Sequence, residues 1–276
     1  VEARRNRVTD MDKNFDYMAP LDRPEIDRLV FHPVPDPGFD PPDNATDRMI
    51  PVDADVEVGC RFYSAAPDKP TILFFHGNGE IAADYDDIAP WYNRYGMNFL
   101  IADYRGYGKS SGNPSGRALL HDAHLIYQEV KAWLSEEGYN APLFVMGRSL
   151  GSASALEIAS EYQRELRGLI LESAFAETLP LLRLLGVDPE ALGATEENGF
   201  GNLRKIGTIT KPTLIIHAQR DNLIPFQQAE LLMEKSPAHG KQLTVVPGAD
   251  HNNILMRAGE EYFKLIGGFV KRYARD

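Results

Sequence analysis

The spacing Gly-x-Ser-x-Gly occurs twice, at Gly147-Arg148-Ser149-Leu150-Gly151 and at Gly108-Lys109-Ser110-Ser111-Gly112. It suits nucleophilic chemistry when it spans a sharp strand-to-helix turn. Such a turn exposes the hydroxyl and aims the next backbone N–H at a developing oxyanion. The glycines are required because side chains there would collide with the neighbouring strand and helix. Ser149 has that context: the apolar run Leu143–Met146 precedes it, and Ser152-Ala153-Ser154-Ala155-Leu156 opens a helix with small residues. Ser110 is followed by Gly112-Asn113-Pro114, which spells a loop. Ser149 is the candidate nucleophile.

A serine needs a base, and in this class of turn the partners follow in the order Ser, acid, His. Of seven histidines, only His217, His239 and His251 come after Ser149. His217 falls inside an apolar strand and His239 at the wrong end of the next one. His251 lies just past the strand Leu243–Val246, and parallel sheets place their sites outside the carboxyl ends of strands. His251 is therefore the candidate base. The same rule picks Asp221, just past Thr213–Ala218, as the acid that orients the imidazole. Asp250 is a rival, but adjacent side chains rarely meet ring-to-carboxylate in that geometry. His76-Gly77-Asn78-Gly79-Glu80 follows another apolar strand, so the backbone N–H groups of Asn78 and Leu150 are the candidate oxyanion donors. The glycine-rich turn lacks the spacing of a phosphate loop or a dinucleotide fingerprint.

Other groups read as structural. His121 and His124 are three apart on a predicted helix, and a solvated face is favoured over a metal pair because no third ligand has recognisable spacing. Cys60 reads as strand packing. Asp103 and Arg105 are expected to brace their loop by ion pairing. Phe175, Phe200 and Phe226 either line an acyl pocket or fill a core.

The elements that must position these residues alternate. Strands are predicted at Arg48–Val52, Glu57–Tyr63, Thr71–Phe75, Phe99–Ala102, Leu143–Met146, Leu169–Leu171, Thr213–Ile216 and Leu243–Val246. Helices are predicted at Pro24–Leu29, Ile81–Tyr95, Arg117–Glu137, Leu150–Glu165, Leu179–Leu185, Phe226–Lys235 and Glu260–Arg272. Continuous apolar strands alternating with helices imply a mostly parallel central sheet covered on both faces. Residues 1–47 hold seven prolines and read as a Pro-rich N-terminal arm that packs on a catalytic domain at 48–276. The 172–212 interval is too long for a simple connection and reads as a helix with an irregular excursion.

Composition bounds the rest. The chain has 276 residues, 43% hydrophobic and 25% charged, with a net charge of −11. That acidity disfavours nucleic acid and a polybasic membrane-facing patch. One cysteine rules out an internal disulfide and, with no apolar leader visible, points to a cytoplasmic setting, although the chain begins at Val and an upstream segment removed by processing fits equally well.

Together, Phe75–Gly79, Asp103-Tyr104-Arg105-Gly106-Tyr107-Gly108, Gly147–Gly151, His217–Pro225 and Gly248–Asn252 resemble the α/β-hydrolase superfamily over about residues 48–276. The likeness is to cap-poor serine-aminopeptidase-like members and membrane-anchored α/β-hydrolase-domain thioesterases. It implies an α/β-hydrolase fold with a small partial lid at 172–212, a Ser149–Asp221–His251 triad, and acyl transfer to water through an acyl-enzyme. No metal or organic cofactor is implied; the partner is a small-molecule or acylated substrate. Ala218 and Asp250 stand where the family often has Gly, and Asp250 sets a negative charge beside His251. The expected reaction is hydrolysis of a carboxylic ester or thioester. The alternatives are a peptidase, with Glu172 or Glu177 as an amine anchor, and a non-catalytic binding protein on the same fold. Dehalogenase chemistry would need a carboxylate where Ser149 stands.

Overall fold

A computed structural model describes residues 15–38 and 40–275. Residues 1–14, Phe39 and Asp276 of the expected arm and domain lie outside the described residues.

Side chains alternate in direction along a strand, so a strand buried on both faces must be apolar throughout. Thr71–Phe75 shows the consequence. Leu73 and Phe75 enter one core, and Ile72 and Phe74 the other. The strands are β1 (Ala45–Pro51), β2 (Glu57–Tyr63), β3 (Thr71–Phe75), β4 (Asn98–Ala102), β5 (Leu143–Arg148), β6 (Gly168–Glu172), β7 (Thr213–Ala218) and β8 (Lys241–Val246). Among the described residues they form one sheet in the order β1-β2-β4-β3-β5-β6-β7-β8. The β1–β2 and β2–β4 pairs are antiparallel; β4-β3-β5-β6-β7-β8 is parallel throughout. This is the α/β-hydrolase fold.

Helices cover both faces. Residues of Gly116–Glu136, Gly151–Glu161 and Gln227–Lys235 join one core; residues of Ala89–Arg94 and Glu260–Tyr273 join the other. The stretch 15–31 lies on the first face, where Phe15, Met18, Leu21, Ile26, Val30 and Phe31 are buried. Arg117 ties that stretch down through Asp16 and Asp22 at 2.9 and 3.0 Å.

Two local expectations are corrected. The single helix expected over Ile81–Tyr95 is a 3-10 turn, Ala82–Tyr85, and a separate helix, Ala89–Arg94. Pro90 has no N–H to donate to Asp86, and its ring crowds that carbonyl. Asp86 is drawn instead to Arg61 at 2.8 Å. His121 and His124 are not on a solvated face, being only 3% and 6% exposed. Gly151–Glu161 and Phe15 cover His124. His124 bonds Glu157 and Tyr162 at 3.0 and 3.1 Å, and its ring centroid is 6.1 Å from that of Phe15.

Between β6 and β7, the excursion carries helices Thr178–Leu184 and Asn202–Ile206. Its hydrogen bonds run inward: Glu196 accepts from the Thr178 and Leu179 N–H groups, and Asn202 donates to the Phe175 carbonyl. No helix among the described residues is long and apolar enough to cross a membrane.

Candidate active site

Ser149 sits at the end of β5, one residue before helix Gly151–Glu161 opens after Leu150. Its φ is +51°, a left-handed conformation that costs a non-glycine residue on the order of 1–3 kcal/mol. The flanking glycines explain how the turn closes. A Cβ on Gly147 would lie 2.3 Å from the Gly151 carbonyl oxygen, and one on Gly151 would lie 2.1 Å from the Phe75 carbonyl oxygen. Contacts so short exclude any larger residue without backbone movement.

Three loops at the carboxyl ends of β5, β7 and β8 converge. His251 Nε2 is 2.9 Å from Ser149 Oγ, and His251 Nδ1 is 2.8 Å from Asp221 Oδ2. The other carboxylate oxygen, Asp221 Oδ1, accepts from the Leu223 and Ile224 N–H groups at 3.0 and 2.7 Å. Burial would raise the Asp221 carboxyl, but its bond to His251, the charge there and the Ile224 N–H hold it below its ordinary value. An acceptor carboxylate at Nδ1 places the neutral ring's proton there and leaves Nε2 as the acceptor facing Ser149. The arrangement can therefore take a proton from the serine hydroxyl. Ser149 and His251 are both buried, 7% and 6% exposed.

The other candidates go elsewhere. Asp250 accepts from Asn252 N–H and Asn253 Nδ2 at 3.0 and 2.6 Å, not from the ring of His251. His217 is buried in β7, 2.8 Å from the Ile224 carbonyl. Burial keeps its pKa down against that bond and the Asp221 charge. His239 is exposed ahead of β8. Ser110 Oγ accepts from the Gly59 N–H at 2.9 Å. Cys60 is buried in β2 with its thiol pKa pushed up by burial. Phe175 and Phe200 pack edge to face in the core, and Phe226 packs on His217. Among the described residues no three His, Cys, Asp or Glu are grouped to hold a metal.

Asp103 and Arg105 each brace their loop through a partner outside it, not through each other. Arg105 grips Asp122 with two bonds of 2.6 and 2.8 Å, while Asp103 Oδ1 accepts from Ala82 N–H and faces His76 Nε2 at 3.2 Å. Glu172 is no free amine anchor either. It is 4% exposed, bonded by Arg148 Nε at 3.2 Å and by the Tyr262 hydroxyl. Glu177 accepts from Gln228 Nε2 at 3.3 Å.

Sequence reasoning missed the network around Arg148. Its guanidinium pairs with Glu80 and Glu172 and donates to the His251 carbonyl at 2.9 Å. Glu80 in turn accepts from Gly77 N–H at 2.8 Å. One cation thus joins the His76–Glu80 turn, the serine turn, β6 and the histidine loop. Burial opposes its charge, yet Glu80 and Glu172 keep its pKa raised. Behind the serine turn, these groups border a cavity of about 210 Å³ with Tyr85, Tyr262 and Leu255. A wider cleft of about 1020 Å³, lined by Tyr17, Glu177, Glu196, Arg204 and Lys235, has none of Ser149, Asp221 or His251 in its wall. The available signal was a charged residue inside a turn that must be buried.

Asn78 and Leu150 also sit at this end of the sheet. Among the described residues, neither N–H donates to a protein carbonyl or side chain. Donors left free in this way can receive an oxyanion.

The chain is similar to several known proteins. A family model described as serine aminopeptidase, S33, matches residues 66–187. Alpha/beta hydrolase domain-containing protein 17C of Mus musculus is 32% identical over 222 residues, covering 78% of this chain and 64% of that protein. The Homo sapiens protein of the same name is also 32% identical, with 78% and 63% covered. The chain thus spans less than two thirds of the length of these relatives. The solved esterase Pf2001 of Pyrococcus furiosus superposes with a TM-score of 0.71 at 22% identity, covering 88% of this chain and 99% of that one.

Proposed function

The chain belongs to the α/β-hydrolase superfamily, and from that premise we propose that it is a serine hydrolase cleaving carboxylic esters or thioesters through an acyl-enzyme on Ser149. One observation carries the reading: the continuous relay from Ser149 Oγ through His251 to Asp221, at 2.9 and 2.8 Å. In this reading His251 Nε2 takes the hydroxyl proton as Ser149 Oγ attacks the acyl carbon. The Asn78 and Leu150 N–H groups receive the oxyanion. The leaving alkoxide or thiolate takes the proton from His251 as the tetrahedral species collapses. Water then attacks the acyl-enzyme with His251 again as base, releasing the acid and the free serine.

A peptidase is the second reading, favoured by the description of the matching family model. It lacks support at the two carboxylates first suggested as amine anchors, since Glu172 and Glu177 are already bonded within the protein. Two assays decide. A fluorophosphonate probe should label the wild-type chain and not Ser149→Ala; equal labelling of both refutes the nucleophile. Turnover of p-nitrophenyl acyl esters and acyl thioesters should far exceed that of aminoacyl anilides; the reverse order makes it a peptidase.

A further inference from the structure

The His76–Gly79 turn is held in part by residues 30–32, which no hydrolase motif covers. The Asn78 side chain uses its full hydrogen-bonding capacity. Oδ1 accepts from the His32 N–H at 3.0 Å and from the Tyr107 hydroxyl at 2.6 Å. Nδ2 donates to the Val30 carbonyl at 2.6 Å and lies 3.0 Å from His32 Nδ1. A backbone N–H can only donate and a backbone carbonyl can only accept, so the amide cannot be turned over. His32 Nδ1 is then the acceptor. The Tyr107 hydroxyl closes the triangle by accepting from the same His32 N–H at 2.9 Å.

The loop after β4 completes the frame. The Tyr104 hydroxyl donates to the His76 carbonyl at 2.5 Å. The N-terminal segment is itself pinned to that loop: Gly108 N–H donates to the Val34 carbonyl at 2.8 Å, and Asp36 N–H donates to the Gly108 carbonyl at 3.1 Å. The motif Asp103–Gly108 therefore holds the His76–Gly79 turn from one side and the 30–36 segment from the other.

We propose that the Asn78 side chain positions its own backbone N–H for oxyanion stabilisation, and that residues 30–32 with Tyr107 form the clamp that sets the direction of that N–H. The proposal rests on the reading of Ser149 as nucleophile and Asn78 N–H as an oxyanion donor. Four bonds to an intermediate, partly wet side chain do little for a core that is already packed around β3. They do hold a glycine-flanked turn, and Gly79, at φ +77°, has no side chain of its own to do so. Displacing a reacting group by about 1 Å costs on the order of 100-fold in rate.

Deleting the segment would strip Phe15, Ile26, Val30 and Phe31 from the core, so point variants are the cleaner probe. Tyr107→Phe removes one hydroxyl and keeps the ring; Asn78→Ala removes the clamped amide. Each is measured for kcat and KM on p-nitrophenyl butyrate and for Ki with a trifluoromethyl ketone, whose serine adduct carries an oxyanion. Thermal unfolding and the acid limb of the pH profile are followed in parallel. For Asn78→Ala, kcat/KM should fall about 10- to 100-fold with KM within twofold, and Ki should rise by the same factor. Tyr107→Phe should show the same parallel change at about 3- to 10-fold, with the acid limb unmoved because His251 and Asp221 are untouched. Unchanged kinetics in Tyr107→Phe and Asn78→Ala overturn the proposal, as does a fall in kcat/KM without a matching rise in Ki. Ser149→Ala separates the two levels: if it retains full activity, the functional reading itself fails. If it is inactive while Asn78→Ala matches wild type, only the clamp fails.

Discussion

Replacing Asp221 by Asn tests the relay with almost no change in shape. The outcome follows from the two backbone donors on Asp221 Oδ1, Leu223 and Ile224 N–H at 3.0 and 2.7 Å. They demand an acceptor, so the amide oxygen of Asn takes the Oδ1 place and its NH₂ takes the Oδ2 place, 2.8 Å from His251 Nδ1. Two donors cannot face each other. His251 must then move its proton to Nε2, where it points at Ser149 and can no longer take the hydroxyl proton. The productive tautomer requires turning the amide over, which leaves both backbone N–H groups facing NH₂. Each unsatisfied buried donor costs roughly 1–3 kcal/mol, so the productive state lies about 2–6 kcal/mol higher. That corresponds to a loss between about 30-fold and about 3 × 10⁴-fold in kcat. The upper end matches the scale of about 10⁴ known for this exchange in another Ser-His-Asp site. The assay is kcat on a p-nitrophenyl ester between pH 6 and 9, with chemical denaturation to confirm an intact fold. KM should change little. A loss under about fivefold in a folded variant would refute the assignment of Asp221 as the group that fixes the tautomer.

Arg148→Met should destabilise the fold by about 3–5 kcal/mol in urea unfolding, because two carboxylates lose their shared cation; adding Glu172→Gln should restore part of it. A loss under 1 kcal/mol for Arg148→Met would contradict the buried network. Gly151→Ala should cost about 3 kcal/mol or more, since its Cβ would lie 2.1 Å from a carbonyl oxygen, whereas Gly248→Ala, at φ +68° in open space, should cost only about 1–2 kcal/mol; equal costs in thermal unfolding would argue against the steric account. Glu157 lies between His124 and Lys205, and these partners outweigh burial to hold its carboxyl at about 2, below its ordinary 4.5. A depressed carboxyl stabilises the fold fully above pH ~4.5 and loses that contribution as pH falls towards ~2, for a total of about 3 kcal/mol. The stability gap between wild type and Glu157→Gln should therefore narrow from pH 6 to pH 3; a constant gap would refute the pairing.

Chain order and local context were enough to single out Ser149, His251 and Asp221, which the fold brings within hydrogen-bond distance. Apolar runs of three or four residues, Ile72–Phe75, Leu143–Met146 and Leu214–Ile216, marked β3, β5 and β7, because a strand covered on both faces must be mostly apolar. Gly147 and Gly151 marked the turn because only glycine avoids the carbonyl oxygens of Gly151 and Phe75. The rule that sites lie past the carboxyl ends of strands then separated His251 from His239 and Asp221 from the remaining acids. These are short-range signals, carried by a few adjacent residues.

What the tertiary structure decided depends on residues far apart in the chain. No local pattern shows that Arg148 meets Glu80, Glu172 and the His251 carbonyl, or that Arg105 pairs with Asp122 rather than Asp103. The helix bearing His121 and His124 reads as half-solvated until the segment at Phe15 and the helix Gly151–Glu161 are laid over it. A proline-rich stretch reads as an arm that packs on the domain, but only the structure shows that Val30 and His32 hydrogen-bond to Asn78, 48 and 46 residues away. Sequence periodicity reports which face of an element avoids water; which partner covers that face, and which ion meets which, is set only when the sheet brings distant loops to one edge.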